Sequence, residues 1–259
     1  MPGFIDSHCH LTYPELASQI NGVLARATDA GVRECITIAT DIADADRALK
    51  LAASFSQVHV VCGVHPHQAA AAQSGWDESL FALVQRPDVY AVGEMGLDYH
   101  YDFADRPTQD RVFRRQLEIA TDVQKPIVIH SREAHDDLLA TLADFPRLVG
   151  VVFHCFTGTV GQACEILDRC YWISLTGVVT FKRSDELREV ARLLPEDQIM
   201  IETDAPYLSP EPFRSVRPNE PAHLIHTAAC IARGRDISID RLAEVTTANT
   251  RRFFRLPVR

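Results

Sequence analysis

The chain is poor in lysine. Of its 26 cationic side chains, only Lys50, Lys125 and Lys182 are lysines, and the 259 residues carry a formal net charge of −9. An acidic protein exerts no general pull on a polyanion, which argues against a stoichiometric binder of duplex DNA. An enzyme that takes a short phosphate-bearing end stays open, because bound cations invert the local charge. The 7 cysteines are scattered, with no Cys-x-x-Cys. Reduced thiols are therefore expected rather than a disulfide framework, and no cysteine is taken as a ligand. The uncharged stretch Leu148–Cys164 holds His154, Thr157, Thr159 and glycines, so it is no membrane span. No basic segment followed by an apolar one opens the chain, so no secretory signal is read. A cytoplasmic location without membrane contact is the expectation.

What is present is a repeating type of unit, a short apolar or β-branched run followed by an amphipathic stretch. Strands are expected at Gly3–Asp6, Glu34–Ala39, Val58–Gly63, Tyr90–Gly93, Pro126–Ile129, Val149–Phe153, Tyr171–Leu175 and Ile199–Glu202. Near-continuous apolar character is what parallel strands covered on both faces require. Helical patterns fall between them, at Pro14–Ala30, Asp41–Ser54, Asp77–Gln85, Thr108–Val123, Ala134–Ala143, Val160–Arg169 and Ser184–Leu194. Thr108 and Ser184 read as polar helix starts. Two further helices are expected, one to about Arg233 and one over Ile239–Phe254. Eight strands alternating with helices at this length predict a (β/α)8 TIM barrel, with residues 1–259 as a single domain. A doubly wound sheet would show a Gly-rich phosphate loop after its first strand, and here that turn carries His-x-His.

In a barrel the chemistry sits where strands end. The first ends in His8 and His10, the third in His65-Pro66-His67, and the fourth in Glu94 with Asp98 beyond. The fifth ends in His130-Ser131-Arg132, the sixth in His154, and the eighth in Glu202-Thr203-Asp204. A lone histidine or carboxylate at a strand end is ordinarily structural or a helix cap. Their joint recurrence at one face is what carries the reading. Four histidines and two carboxylates exceed the needs of one tetrahedral site. His8, His10 and Asp204 would hold one cation, His130 and His154 another, and Glu94 could bridge the two. Asp6 and Glu202 lie deeper on their strands and suit orientation of ligands. His65 could steady a phosphate oxygen and Arg132 could pair with a phosphate. His67 reads as a surface residue.

The motifs Phe4-Ile5-Asp6-Ser7-His8-Cys9-His10, Gly63-Val64-His65-Pro66, Gly93-Glu94-Met95-Gly96-Leu97-Asp98-Tyr99, His130-Ser131-Arg132, His154-Cys155-Phe156-Thr157-Gly158 and Glu202-Thr203-Asp204-Ala205-Pro206-Tyr207-Leu208 resemble, in order, those of the TatD family. So do Arg217-Pro218-Asn219-Glu220-Pro221 and Thr246-Thr247-Ala248-Asn249. The resemblance covers nearly the whole chain. It implies a barrel of the metal-dependent hydrolase type and deoxyribonuclease chemistry. Carried over by position, its metal ligands are His8, His10, Glu94, His130, His154 and Asp204.

The expected reaction is phosphodiester hydrolysis by a water that two divalent cations activate, with Asp204 accepting its proton. Imidazoles suit Mn²⁺ or Zn²⁺, while the family is usually described as Mg²⁺-dependent. The expected substrate is DNA, as single strands or ends, with Tyr207 and Asn219 near the sugar or base. A monomer is expected. Two rivals stand beside this reading. One is a hydrolase of the same fold acting on esters or amides, such as an aminoacyl-tRNA deacylase. The other is a nucleic-acid-binding scaffold without catalysis. Many binuclear amidohydrolases bridge their metals with a carboxylated lysine after the fourth strand. Glu94 stands there instead, which favours the phosphodiesterase.

Overall fold

The computed structural model describes residues 3–257. Its strands are β1 (Phe4–Cys9), β2 (Val32–Ala39), β3 (Val58–Cys62), β4 (Val89–Asp98), β5 (Ile127–Arg132), β6 (Val151–Phe153), β7 (Trp172–Leu175) and β8 (Ile199–Ile201). Helices alternate with them: α1 (Pro14–Ala17), α2 (Ile20–Asp29), α3 (Ile42–Ser54), α4 (Trp76–Val84), α5 (Arg106–Val123), α6 (His135–Ala143), α7 (Val160–Leu167) and α8 (Asp185–Leu193). Two more follow β8, namely α9 (Leu224–Gly234) and α10 (Ile239–Phe254). The parallel strands form one sheet in the order β1 to β8, the alternation of a (β/α)8 barrel. Among the described residues no helix is long and apolar enough to cross a membrane.

The chain divides into two compact units, one from residues up to Thr37 and from Cys155 onward, the other Ile38–His154. In the first, β1 pairs with β2 and β7 with β8. The segment after β8 is laced to the end of β1: the Asp204 N–H donates to the His8 carbonyl at 3.0 Å, and the His10 N–H to that of Ala205 at 2.7 Å. Helix α10 supports β8 from outside, where the Asn249 side-chain amide donates to the Ile199 carbonyl at 2.8 Å.

In the second unit β4 runs to Asp98, five residues past its expected end at Gly93. Gly93 and Gly96 both sit at positive φ inside the strand. A Cβ on Gly96 would lie 2.1 Å from the His130 carbonyl oxygen. Glycine there lets β4 and β5 approach in register, Gly96 opposite His130 and Asp98 opposite Arg132. Lys125, just before β5, donates to the Arg86 carbonyl at 2.7 Å, near the start of β4 and away from the strand ends.

The helices differ from the sequence expectation in two starts and one cap. The stretch Pro14–Ala30 is two helices, with Gln19 outside the helical region between them. Helix α5 starts at Arg106 rather than Thr108, because Asp105 caps it by accepting the Thr108 N–H at 2.8 Å, with Pro107 in the first turn. Ser184 stands at the start of α8, but its side chain makes no capping bond.

Candidate metal centre

Each unit carries its own group of metal-type donors. In the first, β1 alternation and the turn after it bring His8 Nε2 and His10 Nε2 to 3.3 Å of one another. Asp204 Oδ1 lies 3.3 Å from His10 Nε2 and 3.7 Å from His8 Nε2. Asp204 holds a left-handed backbone, φ 53°, which aspartate tolerates better than most residues.

Two buried carboxylates fix this arrangement. Asp6 Oδ1 accepts the Thr203 N–H at 3.0 Å and the His8 N–H at 3.3 Å, while Oδ2 accepts the Thr203 hydroxyl at 2.5 Å. Burial pushes the Asp6 carboxyl up to about 7, with the Thr203 bonds opposing. Glu202 Oε2 accepts the Ser174 hydroxyl at 2.6 Å and that of Ser7 at 3.2 Å, and Oε1 accepts the Cys155 N–H at 2.6 Å. Neither carboxylate is among the His8–His10–Asp204 donors; both tie down the backbone that presents them.

In the second unit Glu94 gathers imidazoles. Its Oε1 is 2.5 Å from His154 Nε2, 2.8 Å from His130 Nδ1 and 3.4 Å from His65 Nε2. Burial would raise the Glu94 carboxyl, but His154, His65 and His130 outweigh it and hold it well below the usual range. Burial drives His65 down to about 4, against the pull of Glu94. Burial also works to lower His130, yet its bonds to Asp98 and Glu94 leave it raised. A neutral imidazole beside an ionised carboxylate is the form in which both bind a metal.

The donor chemistry of both groups fits a divalent cation. Each offers two imidazole nitrogens and one carboxylate oxygen, all within 4.8 Å of one another: His8, His10 and Asp204 in one, Glu94, His130 and His154 in the other.

Asp98 is a residue the sequence reading quoted but gave no role. Its Oδ2 is 2.9 Å from His130 Nε2 and 2.8 Å from His67 Nε2, and its Oδ1 accepts the His100 and Tyr101 N–H groups, both at 3.0 Å. Burial raises this carboxyl, but bonds from His130, Tyr101 and His67 hold it well below the usual range. With Nε2 held by Asp98, His130 turns Nδ1 toward Glu94, as carboxylates behind metal-bound histidines do. The signal was available, since Glu94 and Asp98 are four residues apart on one strand and therefore share a face. Asp98→Asn keeps the shape and places an amide donor against two imidazoles. It is expected to lower Mn²⁺ affinity, read by calorimetric titration, by about 10- to 100-fold. Unchanged affinity together with unchanged turnover would remove this role.

Other expected site residues fall differently. His67 is half-buried against Asp98 rather than a free surface residue. His65 joins the Glu94 group, and its Nδ1 accepts the His67 N–H at 3.0 Å. Arg132 is exposed, its guanidinium 4.7 Å over the Tyr101 ring. Tyr207 is half-exposed, with its ring 6.1 Å from Tyr13 and 6.4 Å from His10. Asn219, expected near a sugar or base, is fully buried. Its amide nitrogen donates to the Thr203 carbonyl at 3.0 Å and the Tyr207 carbonyl at 2.6 Å, and its oxygen accepts the Glu220 N–H at 2.9 Å. It shapes the turn that bears Asp204 and has no donor left for a ligand.

A family model described as TatD related DNase matches residues 5–255. The chain belongs to the TatD family. It is 39% identical over 254 residues to the 3'-5' ssDNA/RNA exonuclease TatD of Citrobacter koseri, covering 96% of this chain and 98% of that one. It is 34% identical over 255 residues to the metal-dependent hydrolase YabD of Bacillus subtilis, covering 97% and 98%. The crystal structure of YJJV, a TatD homolog from Escherichia coli K12, superposes with a TM-score of 0.93 at 31% identity, covering 98% of each chain.

Proposed function

We propose that this TatD-family chain is a divalent-metal-dependent phosphodiesterase that removes nucleotides from the ends of single-stranded DNA, working from the 3′ end. The observation that carries it is the Glu94 carboxylate, buried and within 3.4 Å of three imidazole nitrogens. A relative sharing 39% of its residues is named as an exonuclease of single-stranded DNA and RNA. In this reading His8, His10 and Asp204 hold one cation, and Glu94, His130 and His154 hold a second. Bound divalent cations supply Lewis acidity and a water acidified toward neutral pH. Asp204 accepts the proton of the attacking water at its carboxylate. Asp6 and Glu202 keep the strand ends from shifting as charge develops. Asp98 keeps the His130 ring in one orientation. Tyr207 lies beside His10, in reach of a sugar or base. Mg²⁺ and Mn²⁺ are the cations to try first.

The test is digestion of end-labelled single- and double-stranded DNA in Mg²⁺ or Mn²⁺. Single-stranded DNA is expected to lose nucleotides, and His8→Ala is expected to lose the activity. No release from either substrate by the unaltered protein would end the proposal.

A further inference from the structure

The segment between β4 and α5 exposes two aromatic rings, Tyr101 at 43% and Phe103 at 60%. Their centroids are 5.6 Å apart, and both rings abut His67, Tyr101 at 5.4 Å and Phe103 at 4.6 Å. His67 shares the Asp98 carboxylate with His130, so the rings stand directly behind the Glu94 group.

The backbone that carries them is held at both ends. Gln109 Oε1 accepts the Asp98 N–H at 2.8 Å, and its Nε2 donates to the carbonyls of Asp98 and Ala104, both at 2.9 Å. Asp98 Oδ1 accepts the Tyr101 N–H at 3.0 Å. Ala104 is buried with Val64, Ala69 and Val112. Residue 104 thus turns inward while its neighbour Phe103 turns outward from an anchored loop. The rings are presented in advance of any ligand, which lowers the ordering cost of binding.

A cation completes the surface. The Arg132 guanidinium lies 4.7 Å over the Tyr101 ring, while the adjacent Glu133 is taken by His100 Nδ1 at 2.7 Å. Exposed π faces beside an arginine are what unpaired bases and their phosphates bind, without regard to sequence.

We propose that Tyr101 and Phe103 form a stacking platform for one unpaired base of the substrate strand, with Arg132 on the adjoining phosphate. The proposal rests on the nuclease reading for the identity of the strand. The platform favours single strands, since inside a duplex the neighbouring pairs stack over both faces of a base.

The test uses an oligodeoxynucleotide carrying 2-aminopurine in turn at each of its last three positions. Binding is read by fluorescence quenching in EDTA, where nothing is cleaved. The unaltered protein is expected to quench one position, and Phe103→Ala to lose that quenching. In Mn²⁺, Phe103→Ala is expected to raise KM by roughly five- to a hundredfold with kcat little changed. Phe103→Tyr restores both. A strand with a base-free spacer at the quenched position is expected to show the same KM for both proteins. No quenching by the unaltered protein, or an equal loss on the spacer strand, overturns the platform. If the protein quenches but cleaves nothing, the nuclease reading fails while the platform stands. A Phe103→Ala variant with a lowered melting temperature is replaced by Tyr101→Ala, for which the same outcomes hold.

Discussion

Glu94→Gln is expected to reduce nucleotide release by about a hundred- to a thousandfold, the scale reached when one electrostatic contributor to the transition state is removed. The substitution changes almost no volume. It replaces a buried anion, held ionised by three imidazoles, with a neutral amide. Its oxygen has His154 Nε2 at 2.5 Å and His130 Nδ1 at 2.8 Å, so a misplaced NH₂ would meet the nitrogens that, in the proposed reading, keep lone pairs for a cation. Calorimetric titration separates two outcomes. If both cations depend on Glu94, affinity falls for both; if it serves only its own imidazoles, one cation survives on His8, His10 and Asp204. Turnover within tenfold of the unaltered protein would show that the carboxylate is not part of the chemistry.

The strands were legible because each is buried on both faces and so reads as an unbroken apolar run, Ile36 and Ile38 in β2 being completely buried. The donors were legible because a polar residue at the end of such a run interrupts it. Glu94, His130 and His154 stand out against the apolar runs before them. What escaped is what depends on tertiary packing. The expected β4 stopped at Gly93, and only the approach of the β5 backbone, Val128 at Gly93 and His130 at Gly96, shows why a strand continues through two glycines. His67 looked like a surface residue because its partner, Asp98, lies 31 positions away. Asn219 sat in a family motif, and a motif does not say whether an amide faces a ligand or the protein's own carbonyls. Its burial decides that it faces the carbonyls of Thr203 and Tyr207.

Asp204→Asn tests the other group most cleanly, because asparagine accepts the left-handed backbone that Asp204 adopts at φ 53°. The bond from the residue 204 N–H to the His8 carbonyl, 3.0 Å, needs only the backbone and survives the change. Asp6 continues to hold Thr203 through both its oxygens, at 3.0 and 2.5 Å. The fold and melting temperature should therefore stay close to those of the unaltered protein. What disappears is the carboxylate that groups with His8 and His10, and with it, in the proposed reaction, the acceptor for the proton of the attacking water. General-base catalysis is worth about a hundred- to ten-thousandfold, so kcat is expected to fall by that order while KM for a single-stranded oligonucleotide moves little. The split between kcat and KM distinguishes a proton acceptor from a residue that merely holds substrate, whose loss would raise KM and spare kcat. An Asp204→Asn protein that folds, binds the strand and turns over within tenfold of the original would transfer the proton-accepting role to another group.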